Sequence, residues 1–176
     1  VLHDEPDDRF MLKDSFLSGI KMLGSYNHVY DIQIFPEHLP YASEMVSHFP
    51  QQKFVLDHLA KPLIRDGILS PWAEGIKQLA KHPNVSCKLS GMVTEALWHE
   101  WKTEDFKPYL DVIFDSFGPS RLMIGSDWPV CTLSSGYNST MKLVIDYIHS
   151  LTTNEQDMIL GRNAIRIYNL KIPSQI

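Results

Sequence analysis

Two hydrophobic rhythms alternate along this chain. Short, nearly continuous apolar runs stand at residues 29–35 (VYDIQIF), 54–56 (FVL), 85–89 (VSCKL) and 122–125 (LMIG). Between them the apolar residues fall three and four apart. Runs of the first kind predict strands buried on both faces; spacings of the second kind predict helices with one buried stripe. Phe16, Leu17, Ile20 and Leu23 make such a stripe, opened by Asp14 as N-cap and ended near Gly24. Ala42, Met45, Val46 and Phe49 make the next, with Pro40 in its first turn and Pro50 at its end. Ser70 as N-cap and Pro71 at the first helical position open a third, carried by Trp72, Ile76, Leu79 and Ala80. Leu110, Ile113, Phe114 and Phe117 form a fourth, with Pro108 placed in the first turn and Gly118 at the C-terminal cap. A long loop carrying Trp98 and Trp101 precedes it. After the last strand, Tyr137, Met141, Val144, Ile145, Ile148 and Leu151 supply a fifth stripe, and Thr152 with Glu155 reads as a capping box. Residues 163–170 predict a closing helix packing Ala164, Ile167 and Tyr168. Residues 1–3 read as the tail of a strand entering the acidic loop at 4–8.

Strand and helix alternate four times after that tail. Such alternation predicts parallel strands joined by right-handed crossovers, the α/β class. No linker or low-complexity segment interrupts it, so residues 1–176 read as one domain. Two architectures fit: a small open doubly wound sheet, or part of a (β/α)₈ barrel, which takes about 250 residues in full.

Polar residues follow the apolar runs, and in a parallel barrel those strand ends share one mouth. His3 and Asp4 end the strand tail at the start, Asp57 and His58 follow residues 54–56, Lys88 and Ser90 stand at the end of 85–89, and Asp127 and Trp128 follow 122–125. Asp127, in Gly125-Ser126-Asp127-Trp128-Pro129, is the leading candidate, because a carboxylate where a buried strand ends needs a partner, a metal or a task. The competing reading is a turn aspartate that accepts backbone N–H bonds. His58 is the second candidate, as a proton shuttle or metal ligand, against a histidine bonded to a neighbouring carbonyl. Lys88 sits inside an apolar strand. It either faces the mouth or pairs internally, with Asp57, Asp127 or Glu95 as partners. Lys61 fits a substrate carboxylate or a solvated loop. Trp98 and Trp128 are aromatic faces suited to a sugar ring. His38, His48, His82, His99 and His149 read as surface residues.

Composition narrows the partners. An apolar fraction of 44% with 21% charged residues is that of an ordinary globular domain, and a net charge of −5 gives no reason to expect nucleic acid. No apolar run approaches the roughly 20 residues of a membrane span. Cys87 and Cys131 lie far apart with no CxxC spacing, which argues against a disulfide framework or a structural zinc. A cytoplasmic location is the default expectation. No nucleotide-binding or serine-hydrolase motif is present.

Several stretches together resemble the amidohydrolase-2 family: RLMIGSDWPVC, FVLDHLAKP, VSCKLSGMVTEA, HDEPDD with FMLKDSFLSGI, and the ending GRNAIRIYNL. Within it they resemble the sugar-lactone hydrolases, which include L-fuconolactonases and L-rhamnonolactonases. The resemblance implies the C-terminal part of a distorted (β/α)₈ barrel, from the end of strand four through strand eight, with the N-terminal strands absent from this chain. It implies hydrolysis of an aldono-1,4- or 1,5-lactone to the sugar acid. Asp127, at the end of strand eight, would be the general base, and His58, after strand six, its partner. Lys88, Trp128, Lys61 and Trp98 would line the substrate. One divalent metal, zinc first, would be held by Asp127 and His58, with metal-independent catalysis left open. The family places an HxH pair on strand one, and this chain contains no HxH. A small-molecule lactone is then the expected partner, with neither nucleic acid nor membrane, and a homodimer is compatible. Two further readings remain: a metal-dependent amide hydrolase or decarboxylase of the same superfamily, and a non-catalytic sugar-acid binding protein.

Overall fold

A computed structural model describes residues 2–171. Strands β1 (Tyr30–Ile32), β2 (Phe54–Leu56), β3 (Val85–Leu89) and β4 (Leu122–Ile124) form one sheet in the order β1-β2-β3-β4, with every pairing parallel. A doubly wound sheet reverses strand order part-way; this one does not. Helix α1 (Asp14–Ser25) precedes β1, and between the strands run α2 (Leu39–Ser47), α3 (Trp72–Leu79), α4 (Met92–Glu95) and α5 (Thr103–Phe117). Helices α6 (Tyr137–Ile148), α7 (Thr153–Asp157) and α8 (Asn163–Tyr168) follow β4. No helix of the described residues is long and apolar enough to cross a membrane.

The two faces of the sheet differ. Ile32, Phe54, Leu56, Val85, Cys87, Leu89 and Leu122 point into the main core, shared with Ile20, Met45, Trp72, Ile76, Phe106 and Ile113 from the helices. The register places Asp31, Val55, Ser86, Lys88 and Met123 on the opposite face. There the apolar cover is small: Val55 and Met123 pack on Ile167, with Ala164 and Tyr168 of α8 against them. Asn163 fastens α8 to the start of β4, donating to the Leu122 and Pro119 carbonyls at 2.7 and 2.8 Å.

Most boundaries fall where the pattern puts them, and the departures have local causes. The expected strand tail at the start is a 3₁₀ turn, Leu2–Asp4, closed by the Glu5 N–H on the Leu2 carbonyl; Val1 lies outside the described residues. The acidic, proline-broken run after Leu2 offers no ladder to join. The strand expected over 29–35 pairs only at Tyr30–Ile32, although Ile34 stays fully buried beyond it. Helix α1 begins at Asp14 itself, one residue earlier than an N-cap there implies, and α3 begins one residue later than expected, with Pro71 at its cap. Pro108 sits in the second turn of α5, not the first; the first turn is closed by the Asp105 carboxylate accepting the Lys102 N–H at 2.8 Å. The Thr152–Glu155 capping box forms as expected. His38 is buried rather than on the surface, its Nδ1 accepting the Phe35 N–H at 3.2 Å.

Candidate active site

Three adjacent strands deliver the site. His58 follows β2, Ser90 and Gly91 follow β3, and Asp127 follows β4. His58 opens a run of four consecutive residues at positive φ: His58 (51°), Leu59 (55°), Ala60 (56°) and Lys61 (50°). None is glycine, and each such residue costs roughly 1–2 kcal/mol. The surroundings enforce the turn. Leu59 and Ala60 are fully buried, the Lys61 N–H reaches the His58 carbonyl at 2.7 Å, and the Trp72 indole donates to the Leu59 carbonyl at 2.7 Å. Lys61 also pairs with Glu95 of α4 at 2.5 Å, tying the turn to the segment after β3. The reward for this strain is direction: it turns the imidazole back over the strand ends, where continued β or right-handed backbone would carry it away.

Gly91 makes room for the ring. A Cβ at that position would stand 2.6–2.7 Å from His58 Cγ, Cβ and Nδ1, and Gly91 has φ +65°. Gly125 does the same for Ser90, whose Cβ lies 3.0 Å from where a Gly125 side chain would begin. The buried Ser90 Oγ then sits 2.8 Å from His58 Nδ1.

Asp127 is also left-handed, at φ 55°. Its carbonyl accepts the Cys131 N–H at 2.9 Å and so opens the next short helical turn. Its carboxylate accepts no hydrogen bond among the described residues. Its ionisable neighbour is His58, with Nε2 3.6 Å from Asp127 Oδ1, and both side chains are 14% exposed. A turn aspartate would collect backbone N–H groups; this one keeps its oxygens free toward a gap it shares with an imidazole. At 3.6 Å the pair is too long for a hydrogen bond.

That separation is near the 3.3–3.5 Å between two ligands of one tetrahedral zinc at ordinary bond lengths, an estimate from usual zinc–ligand distances. Yet no group of three or more His, Cys, Asp or Glu placed to hold a metal exists among the described residues. Two donors fall short of the three protein ligands usual for catalytic zinc. The residues present do not by themselves hold the ion.

The remaining sequence candidates separate clearly. Lys88 is not free at the mouth. Its ammonium lies 2.5 Å from Asp31 and 2.8 Å from Asp57, and over the Tyr168 ring at 5.6 Å. The Tyr168 hydroxyl donates to the same Asp31 carboxylate, at 2.8 Å to Oδ1. Burial pulls the Lys88 pKa down, but the hydrogen bonds to Asp31 and Asp57 outweigh it and leave it above the ordinary lysine range. Lys61 is engaged with Glu95. Trp98 and Trp128 are exposed, at 47% and 67%. Cys131 is buried, as is Cys87, whose thiol burial pushes up. Sequence reasoning missed Asp31, Tyr168 and the Ser90–His58 bond. Asp31 carried a readable signal, a charge in the middle of an apolar strand, the same signal that singled out Lys88.

Residues 2–170 match the family model described as amidohydrolase, and the chain belongs to that family. Among curated proteins it is 37% identical to an L-fucono-1,5-lactonase of Burkholderia multivorans, over 98% of this chain and 62% of that protein. It is 27% identical to an L-rhamnono-gamma-lactonase of Scheffersomyces stipitis, over 88% of this chain and 53% of the relative. A crystal structure of an amidohydrolase from Burkholderia multivorans with bound zinc superimposes with a TM-score of 0.92 at 36% identity, covering 97% of this chain and 63% of that one. The chain spans about six-tenths of the length of these first two relatives from Burkholderia.

Proposed function

We propose that this protein is a sugar-lactone hydrolase, opening an aldono-1,4- or 1,5-lactone to its acid. We also read the four strands as a sector of a (β/α)₈ barrel, since sequential parallel order with the crossover helices α2, α3 and α5 packed on one face is what a barrel sector requires. The observation that carries the function is the Asp127–His58 pair: two reactive groups at neighbouring strand ends, held by strained backbone and left without mutual saturation. Structural ion pairs do not look like this; sites awaiting substrate do.

In this reading Asp127 takes a proton from the attacking water and later returns it to the ring oxygen that leaves. His58 faces the same gap and donates a hydrogen bond to the lactone carbonyl oxygen as negative charge builds there. Trp128 and Trp98, with large exposed rings, are the side chains suited to lie against the sugar. The relatives' names support a lactone substrate. No metal enters these steps.

The test is kinetic. Full-length protein is assayed for acid release against a panel of aldonolactones, with Asp127→Asn beside it. Loss of about 10²–10⁴ in kcat/KM on the preferred lactone is expected, the usual weight of an acid–base group. Retention of activity within about threefold would remove Asp127 from the base role.

A further inference from the structure

We infer that Ser90 is a positioning residue that selects the tautomer of His58, holding the imidazole as its Nε2–H form so that it donates into the mouth. Ser90 follows β3 directly and is 3% exposed. Its hydroxyl makes one hydrogen bond among the described residues, to His58 Nδ1 at 2.8 Å.

A serine on one imidazole nitrogen and an aspartate near the other have the composition of an acyl-transfer triad, but Ser90 is not placed to be the nucleophile. It is buried against Gly125, and it lies on the Nδ1 side of the ring, whereas Nε2 faces Asp127. A nucleophile must reach the substrate carbonyl.

Proton accounting then decides the direction of the bond. A hydroxyl carries one proton, and buried hydroxyls need an acceptor. Nδ1 is the acceptor on offer, so Ser90 donates and Nδ1 is bare. The ring proton of the neutral imidazole therefore resides on Nε2, which points at the Asp127 carboxylate 3.6 Å away. The reverse arrangement strands the Ser90 proton in a buried site and turns an Nε2 lone pair toward a carboxylate; both changes are unfavourable. A backbone carbonyl at Nδ1 would have forced the opposite tautomer, since a carbonyl accepts only. The choice of a hydroxyl at this position thus makes His58 a hydrogen-bond donor at Nε2, the role that stabilisation of a lactone carbonyl oxygen needs.

The kinetic side of this inference rests on the lactonase reading; the tautomer does not. The experiment is long-range ¹H–¹⁵N NMR of the His58 ring in metal-free full-length protein at alkaline pH, for the wild type and Ser90→Ala, with kcat and KM measured on both. The wild type is expected to show a protonated Nε2 and a bare Nδ1 whose ¹⁵N resonance carries the upfield shift of an accepted hydrogen bond, and Ser90→Ala to lose that shift. With it kcat falls about 10- to 100-fold while KM stays within about threefold, the usual weight of an outer-sphere partner. A wild-type Nδ1–H, or an Nδ1 resonance that Ser90→Ala leaves unchanged, overturns the inference. So does labelling of Ser90 by a fluorophosphonate, which would make it a nucleophile. If Ser90→Ala fails to fold, the wild-type spectrum alone decides. If the wild type opens no lactone but shows Nε2–H, the function falls and the tautomer stands.

Discussion

Two clusters of polar side chains sit close together on this sheet, each built around aspartate, and they are bonded in opposite ways. On the face away from the main core, Lys88 is held by Asp31 and Asp57, and Tyr168 closes the group by donating to Asp31. Its backbone is regular strand at Asp31 and Lys88. At the strand ends, the Asp127 carboxylate accepts nothing among the described residues and meets His58 only across 3.6 Å, and both residues stand at positive φ. A folded chain that can satisfy one aspartate so fully has no physical need to leave another bare beside it. The contrast separates groups that hold the sheet and its closing helix from groups held ready for a ligand. It also shows why residue type and strand position alone cannot sort them: Asp57 and His58 are neighbours, yet they belong to different clusters.

The comparison breaks most easily at its two aspartates. Asp127→Asn keeps the shape, removes no internal hydrogen bond and, on the proposed mechanism, takes away the base. The expected result is the loss of about 10²–10⁴ in kcat/KM with a melting temperature near that of the wild type. Asp57→Asn should do the reverse, lowering the melting temperature through Lys88. If Asp57→Asn abolished turnover in folded protein, the division into two clusters would be wrong.

Lys88→Met comes next in size. It leaves Asp31 and Asp57 facing each other without their cation, and about 1–3 kcal/mol of stability should be lost in urea titration, less than for a fully buried pair because the group is partly exposed. The sequence reading placed Lys88 against substrate, and this variant decides: a raised KM in folded protein would restore that role, and an unchanged KM confines Lys88 to the sheet. The pH dependence gives a second check. Because Lys88 has its pKa raised in the fold, its contribution is complete below the ordinary lysine value of about 10.4 and is lost only as pH rises beyond it. The stability difference between wild type and Lys88→Met should therefore be flat across neutral pH and shrink only in strong alkali.

The fold was largely legible because hydrophobic periodicity reports directly on burial, and here each strand is buried on its core-facing side. Residues 54–56, 85–89 and 122–124 come out as strands, and the Thr152 capping box forms as read. What escaped was set by contacts distant in sequence. The short α4 has too few residues for a periodic signal. The left-handed turn at residues 58–61 has no glycine to announce it; the burial of Leu59 and Ala60, the Trp72 indole bond and the Lys61–Glu95 pair hold it. His38 is buried because Phe35 turns its N–H onto the ring. In the site, Asp127 and His58 stood out as polar residues where apolar runs stop. Their shared gap, and Ser90 behind the ring, depend on β2, β3 and β4 lying side by side, which spacing along the chain does not state.

Gly91→Ala probes the border between the two clusters. The added Cβ would meet the His58 ring at 2.6–2.7 Å and would have to adopt φ +65°. A loss of about 1–2 kcal/mol is expected from the backbone alone. Activity should fall further than stability explains, because the atom in the way is the imidazole. Equal loss in both, measured on folded protein, would mean the ring yields without consequence and that its placement matters less than the strained turn suggests.

Tyr168→Phe is the smallest change and the most specific test of the satisfied cluster. The hydroxyl donates to both Asp31 oxygens, at 2.8 and 3.0 Å, while the ring remains packed on Val55 and Met123. Burial first, and then the hydrogen bond to Asp31, push the phenol pKa above its ordinary range, so the proton stays on Tyr168 throughout the physiological span. Removing the oxygen deletes one hydrogen bond to a charged acceptor and leaves the apolar contact intact. About 1–2 kcal/mol should be lost, read as a lower urea midpoint at unchanged slope. Lys88 still neutralises Asp31, so the loss should stay below that of Lys88→Met. Turnover should not change, since Tyr168 lies in the cluster that already has its partners. A Tyr168→Phe protein that folds normally but turns over slowly would show that the two clusters communicate, and that α8 reaches the reaction through Asp31, Lys88 and Asp57.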